Sequence, residues 1–153
     1  APYAAGAHPY LTLDTGERID AWTLQAPAAT RILSDPERLL PAGSEPVEGT
    51  PYDFRTARPI GDTSLDTCFT DLARDDAGIA TVTLSNAERA VELWLDDAHG
   101  WLMLYTADDR TPPRGSIAVE PMTAAVDAFN SGQGLVTLQP GETSSARWGV
   151  RGR

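Results

Sequence analysis

Apolar and polar residues alternate along most of this chain in short runs, and residues that favour turns separate the runs. Ala80, Val82 and Leu84 alternate with Thr81 and Thr83, and comparable patterns cover residues 90–95 and 101–106. A period of two marks half-buried strands. Further strands are expected at residues 10–13, at 19–24 with Ile19, Ala21 and Thr23 on one face, and at 29–33. The turn residues predict three hairpins: 80–84 with 90–95 across Ser85-Asn86-Ala87-Glu88-Arg89, 90–95 with 101–106 across Asp96-Asp97-Ala98-His99-Gly100, and 135–138 with 145–150 across Gln139-Pro140-Gly141-Glu142. In the last, Pro-Gly at the centre suits a type II turn, with glycine taking the positive φ.

Helical periodicity is absent. Residues 123–129 follow Pro121 and read as a loop with at most one helical turn. Residues 34–63, which carry Pro36, Pro41, Pro46, Pro51 and Pro59, read as one long irregular segment, a feature often tied to function. Many short strands with regular turns predict an all-β sandwich or barrel. No repeat or linker divides the chain.

Composition narrows the function. At 153 residues and 41% hydrophobic content, the chain can bury a sizeable core. Its net charge is −10, and all 12 basic residues are arginine. Nucleic-acid binding needs a basic stripe and is excluded. Schiff-base chemistry needs a lysine and is excluded too. A strongly anionic substrate would require several arginines to converge.

Cys68 is the single cysteine and reads as a small buried hydrophobe. With two histidines, the chain shows no metal-ligand spacing. His99, in an acidic turn, is expected to be solvated. No apolar run approaches the ~20 residues of a membrane span. Ala1-Pro2-Tyr3-Ala4-Ala5-Gly6 has no basic region followed by an apolar core. The expectation is a cytoplasmic protein without membrane contact.

The candidate chemistry lies in Ile117-Ala118-Val119-Glu120-Pro121-Met122. Apolar strand residues flank Glu120, and Pro121 biases it toward an extended backbone. The carboxylate is thereby aimed, as a general base must be. The same pattern also fits a strand-end acid at a turn. His8 precedes Pro9 in the same way, and its imidazole titrates near neutral pH. Glu120 and His8 form a candidate acid/base pair.

These motifs, in order, resemble the aldose 1-epimerase (galactose mutarotase) family. The carriers are His8-Pro9-Tyr10, Gly61-Asp62-Thr63-Ser64-Leu65-Asp66-Thr67-Cys68-Phe69, Ala118-Val119-Glu120-Pro121-Met122 through Asn130, and the closing Leu138–Glu142 and Ala146–Val150 stretches. The resemblance covers nearly the whole chain and the C-terminal half of the family. It implies a galactose-mutarotase-like β-sandwich, here the C-terminal part of a single domain. It also implies interconversion of the α and β anomers of a free aldohexose of the glucose or galactose class, with no cofactor.

By position in the motifs, Glu120 matches the catalytic base, His8 the acid, and Asp66 a residue that hydrogen-bonds sugar hydroxyls. Tyr10, Tyr105, Phe129 and Trp101 are candidate walls for the sugar, and Asp127 and Asn130 could orient the loop after Glu120. Family members also use an arginine and a second histidine upstream of the His-Pro-Tyr position, where this chain has only seven residues. The missing N-terminal half, as a second chain or segment, is therefore the expected partner. Met122 stands where better-known members carry glutamine, which leaves the sugar open. Two alternatives stand beside the mutarotase: a hexose-6-phosphate 1-epimerase, for which Arg55 and Arg58 are the obvious arginines, and a non-catalytic carbohydrate-binding protein of the same fold.

Overall fold

The structure is a computed structural model that describes residues 1–13 and 16–153. Among the described residues, thirteen strands run in chain order: β1 (Pro2–Tyr3), β2 (Tyr10–Leu11), β3 (Thr23–Gln25), β4 (Ala28–Ser34), β5 (Pro41–Pro46), β6 (Arg58–Pro59), β7 (Asp66–Leu72), β8 (Ala80–Ser85), β9 (Ala90–Leu95), β10 (Trp101–Tyr105), β11 (Ile117–Met122), β12 (Val136–Thr137) and β13 (Trp148–Gly152). One helical turn, α1 (Ala128–Ser131), follows β11. A six-stranded sheet has the order β2-β11-β10-β7-β4-β5, a five-stranded sheet has β13-β9-β8-β3-β6, and β1 pairs with β12. The strand pairs are antiparallel.

The alternation decides what is buried. Val82, Leu84, Leu93 and Leu95 come from the five-stranded sheet, and Phe69, Leu102, Leu104, Ile117 and Val119 from the six-stranded one. All belong to one core cluster, with Trp22 and Phe54 among its largest fully buried members. Burying a side chain of this size contributes roughly 1.5–3 kcal/mol. The all-β sandwich expected from the sequence is therefore the fold observed.

Several expectations need correcting. Residues 19–24 are not one strand: Ile19–Ala21 form a 3-10 turn and the strand begins at Thr23. Trp22 and Leu24 face the core, while Ala21 is exposed. The segment 34–63 is not irregular throughout, since it contains β5 and β6. Prolines hide β5 from a propensity reading, yet an edge strand tolerates them.

Only β8 and β9 make the expected hairpin, closed by the Asn86 side chain accepting from the amides of Glu88 and Arg89. After Asp96 the chain crosses to the other sheet, so β9 and β10 are not paired. The last hairpin is absent as well. β12 pairs with β1 and β13 with β9, although the Gln139–Glu142 turn forms, with Gly141 at φ 87°. Gly149 is required where β13 crosses Trp94, because a Cβ there would lie 2.8 Å from the indole.

Candidate active site

Glu120 sits on β11 with its side chain on the face of the six-stranded sheet that points away from the core. Strand register fixes its neighbours: Met103 lies opposite Glu120, and Cys68 lies opposite Met103. Two residues along, Ala118 faces Tyr105 and Tyr105 faces Asp66, while Tyr10 faces Ala118 from β2. Since side chains alternate between faces, Glu120, Cys68, Asp66, Tyr105 and Tyr10 share one surface.

His8 reaches Glu120 from the segment before β2, with Nε2 3.1 Å from Oε1. Local backbone bonds hold it there: the Ala7 amide donates to the Pro121 carbonyl and the Val119 amide to the Pro9 carbonyl. The side chain of His8 is 51% exposed and that of Glu120 15%. The carboxylate is thus recessed and the imidazole open to an approaching ligand.

Burial pushes the Glu120 carboxyl above its usual value; His8 pulls it down and Asp66 pushes it up. A recessed carboxylate with a raised pKa is a better proton acceptor than a solvated one. Cys68 is buried as expected, and desolvation drives its thiol up to about 11, with Glu120 adding to the rise. It is no nucleophile at neutral pH.

Tyr10 stacks on His8 with ring centroids 4.9 Å apart and meets Tyr105 edge-on at 6.4 Å. Arg110, which the sequence did not single out, lies over the Tyr10 ring and donates to its hydroxyl at 2.9 Å. Tyr105 donates to Asp109, and that carboxylate holds its phenol above the ordinary value. The loop between β10 and β11 therefore steadies both tyrosines. It is anchored by buried Arg114, which bridges Asp20 and Asp108 at 2.7 Å each and donates to the Gly61 and Thr63 carbonyls. Thr106 accepts from the Leu65 amide, so Asp66 and Tyr105 are fastened at their bases. No local sequence signal announces the contacts of Arg110 with Tyr10 or of Arg114 with Asp20, which lie 100 and 94 residues away.

Other candidates lie apart. Phe129 is exposed on α1 and lines a cavity of about 310 Å³ with Gly6 and Met122, whose lining includes neither Glu120 nor His8. Trp101 is covered by Gly134, where a Cβ would come within 2.3 Å of its ring. Asp127 accepts from the Asn130 side chain and begins α1, which orders the loop itself. Arg55 is paired with Asp53 and Glu48, and Arg58 donates to backbone carbonyls over the Phe54 ring. His99 is not solvated. It is 2% exposed, and its Nδ1 lies 2.8 Å from Asp96 Oδ1. No group of three or more potential metal ligands occurs among the described residues.

The arrangement is that of a β-sandwich with a histidine–carboxylate pair on the open face of one sheet. The chain matches the aldose 1-epimerase family over residues 1–151, and it belongs to that family. It is 29% identical over its whole length to the Escherichia coli (strain K12) protein YihR, of which it covers 47%. It thus spans about half the length of that relative. Among solved structures, a galactose mutarotase-like protein from Clostridium acetobutylicum superposes with a TM-score of 0.75 at 18% identity, covering 97% of this chain and 46% of that one. Galactose 1-epimerase from Lactobacillus acidophilus gives 0.70 at 22% identity, with 98% and 47% covered. The fold is that of the galactose mutarotase-like proteins.

Proposed function

We propose that this chain carries the acid/base pair of an aldose 1-epimerase acting on a neutral aldohexose. The observation that carries the reading is the 3.1 Å contact between His8 Nε2 and Glu120 Oε1, set on the sheet face that also presents Asp66. Anomer exchange acts on two oxygens borne by one carbon, the C1 hydroxyl and the ring oxygen. Acid and base must therefore stand close together.

Glu120 takes the proton of the C1 hydroxyl, and the electron pair left there forms the aldehyde as the bond from C1 to the ring oxygen breaks. His8 supplies a proton to that oxygen. Rotation about the C1–C2 bond presents the other face of the aldehyde, and the same steps run in reverse. The charge of His8 favours the ionised form of Glu120. Asp66 is assigned to sugar hydroxyls, and Tyr10 and Tyr105 to the apolar wall beside the ring. Phe129 is a wall only for a ligand that extends past Met122.

The chain is read as the C-terminal part of one family domain. The rest of that domain, as an upstream segment or a second chain, is the proposed partner that supplies the arginine and second histidine of the family. Arg55 and Arg58 are already committed, which disfavours a hexose-6-phosphate epimerase using them.

The test is polarimetric. Freshly dissolved α-glucose and α-galactose are followed with this chain, with a longer or two-piece form, and with Glu120→Ala in each. Accelerated equilibration that Glu120→Ala removes is the expected result. Silence of every form on both sugars would sink the enzymatic reading and leave the binding protein.

A further inference from the structure

We propose that the cavity beside His99 binds a phosphate group. It measures about 360 Å³ and lies between the N-terminal segment (Tyr3, Gly6) and the approach to β13 (Ser144, Ser145, Arg147, Trp148), with His99 in its wall. The inference does not depend on the mutarotase reading, because neither His8 nor Glu120 lines this cavity.

His99 is the decisive residue. Its side chain is 3% exposed, and Asp96 takes Nδ1. Nε2 has no protein partner among the described residues, yet no fully enclosed side-chain nitrogen or oxygen lacks one. Nε2 therefore retains contact with open space, and the cavity is the space that His99 lines. A buried ring nitrogen left open to a cavity is costly unless a ligand or water meets it.

The surroundings select the ligand. Arg147 lines the cavity, and its guanidinium makes no ion pair among the described residues. Its amide, by contrast, is held by Asp96 Oδ2 at 2.7 Å, which fixes the backbone there. Arg74 stands behind the turn, donating to the carbonyls of Asp96 and His99. Arg74 and Arg147 thus set two guanidinium groups at a turn that also carries Asp96 and Asp97, on a chain of net charge −10.

Hydroxyls of Ser144 and Ser145 add donors. In the tautomer that gives Nδ1–H to Asp96, Nε2 is an acceptor. A phosphate group carries both a P–OH that can donate to Nε2 and anionic oxygens that accept from arginine and serine. Sulfate carries no such proton at neutral pH.

The experiment uses the imidazole resonances of the 153-residue chain, which has two histidines, so each reports its own site. Titration with inorganic phosphate is expected to shift the His99 signals saturably and leave those of His8 in place. Sulfate at the same concentration should do much less. Arg147→Gln, which keeps the amide bond to Asp96 and so the fold, should weaken binding by about tenfold, as loss of a charge-assisted hydrogen bond would. Glucose 6-phosphate binding tighter than inorganic phosphate would identify a phosphate ester as the ligand, and equal binding the free anion. Three outcomes overturn the proposal: no His99 shift with phosphate on the order of tens of millimolar, equal shifts with sulfate, or a response to glucose but not to phosphate.

Discussion

The chain holds two histidine–carboxylate pairs of similar geometry and opposite exposure. In the first, His8 is half exposed and Glu120 recessed; in the second, His99 is enclosed and Asp96 the more open partner. The Asp96 carboxylate is also occupied by a backbone amide, whereas Glu120 has no donor besides His8 among the described residues. A carboxylate kept short of hydrogen bonds remains a base, while one that is saturated becomes a structural pin. The difference teaches that residue types and contact distance do not assign chemistry. What the flanking elements leave open does.

Substitution should separate the pairs. Glu120→Gln is expected to have the largest effect, lowering the rate of anomer equilibration by on the order of 10²–10⁴-fold in an active form of the protein. Loss of less than a few-fold would remove Glu120 from the chemistry. The acid limb of the rate profile should lie above the ordinary carboxylate range, because the base must be ionised and burial raises its pKa. The same shift has a stability sign. A carboxyl whose folded pKa is raised binds its proton more tightly when folded, so its contribution is full below the unfolded value near 4.5 and is lost as pH rises through the folded value. Glu120→Gln, which cannot ionise, should not show that loss in urea melts followed from acid to neutral pH.

The second pair should respond in stability. His99→Ala leaves Asp96 short of a donor at the turn between the sheets and should cost about 2 kcal/mol in urea unfolding. His8→Ala, on the open side, should cost under about 0.5 kcal/mol. Equal costs would erase the contrast between pin and working pair.

Asp66→Asn is expected to raise KM by about tenfold while moving kcat little, as removal of a substrate hydrogen bond does. Initial polarimetric rates over a range of sugar concentrations check this. The smallest effect concerns Cys68. With its thiol at about 11, about one part in a thousand is thiolate at pH 8, so iodoacetamide should label the folded chain slowly and the urea-unfolded chain fast.

Much of the first pair was legible before the fold was known. Pro9 and Pro121 restrain the residues before them, and the apolar run 117–119 marks a strand that buries one face. Asp66 and Tyr10 were singled out through motif order alone. The contacts of Arg110 with Tyr10 and of Arg114 with Asp20 were not legible, since those partners are distant in sequence, and His99 was misread because an acidic turn looks solvated when the strand after it is assumed to continue the hairpin. Phe129 was named as a wall for the sugar, and α1 places it on a cavity lined by neither Glu120 nor His8.

The alternation of apolar and polar residues determined by itself that this chain forms strands, which side chains most of them bury, and where Glu120 and His8 are pinned, because these follow from local backbone sterics and the two-residue period of a strand. Only the tertiary structure decided which strands pair and which histidine is enclosed. The chain leaves one sheet for the other after Asp96, and the expected closing hairpin is divided between β1 and β9. Such choices depend on burying two sheet faces against each other, a condition that no stretch of sequence satisfies alone.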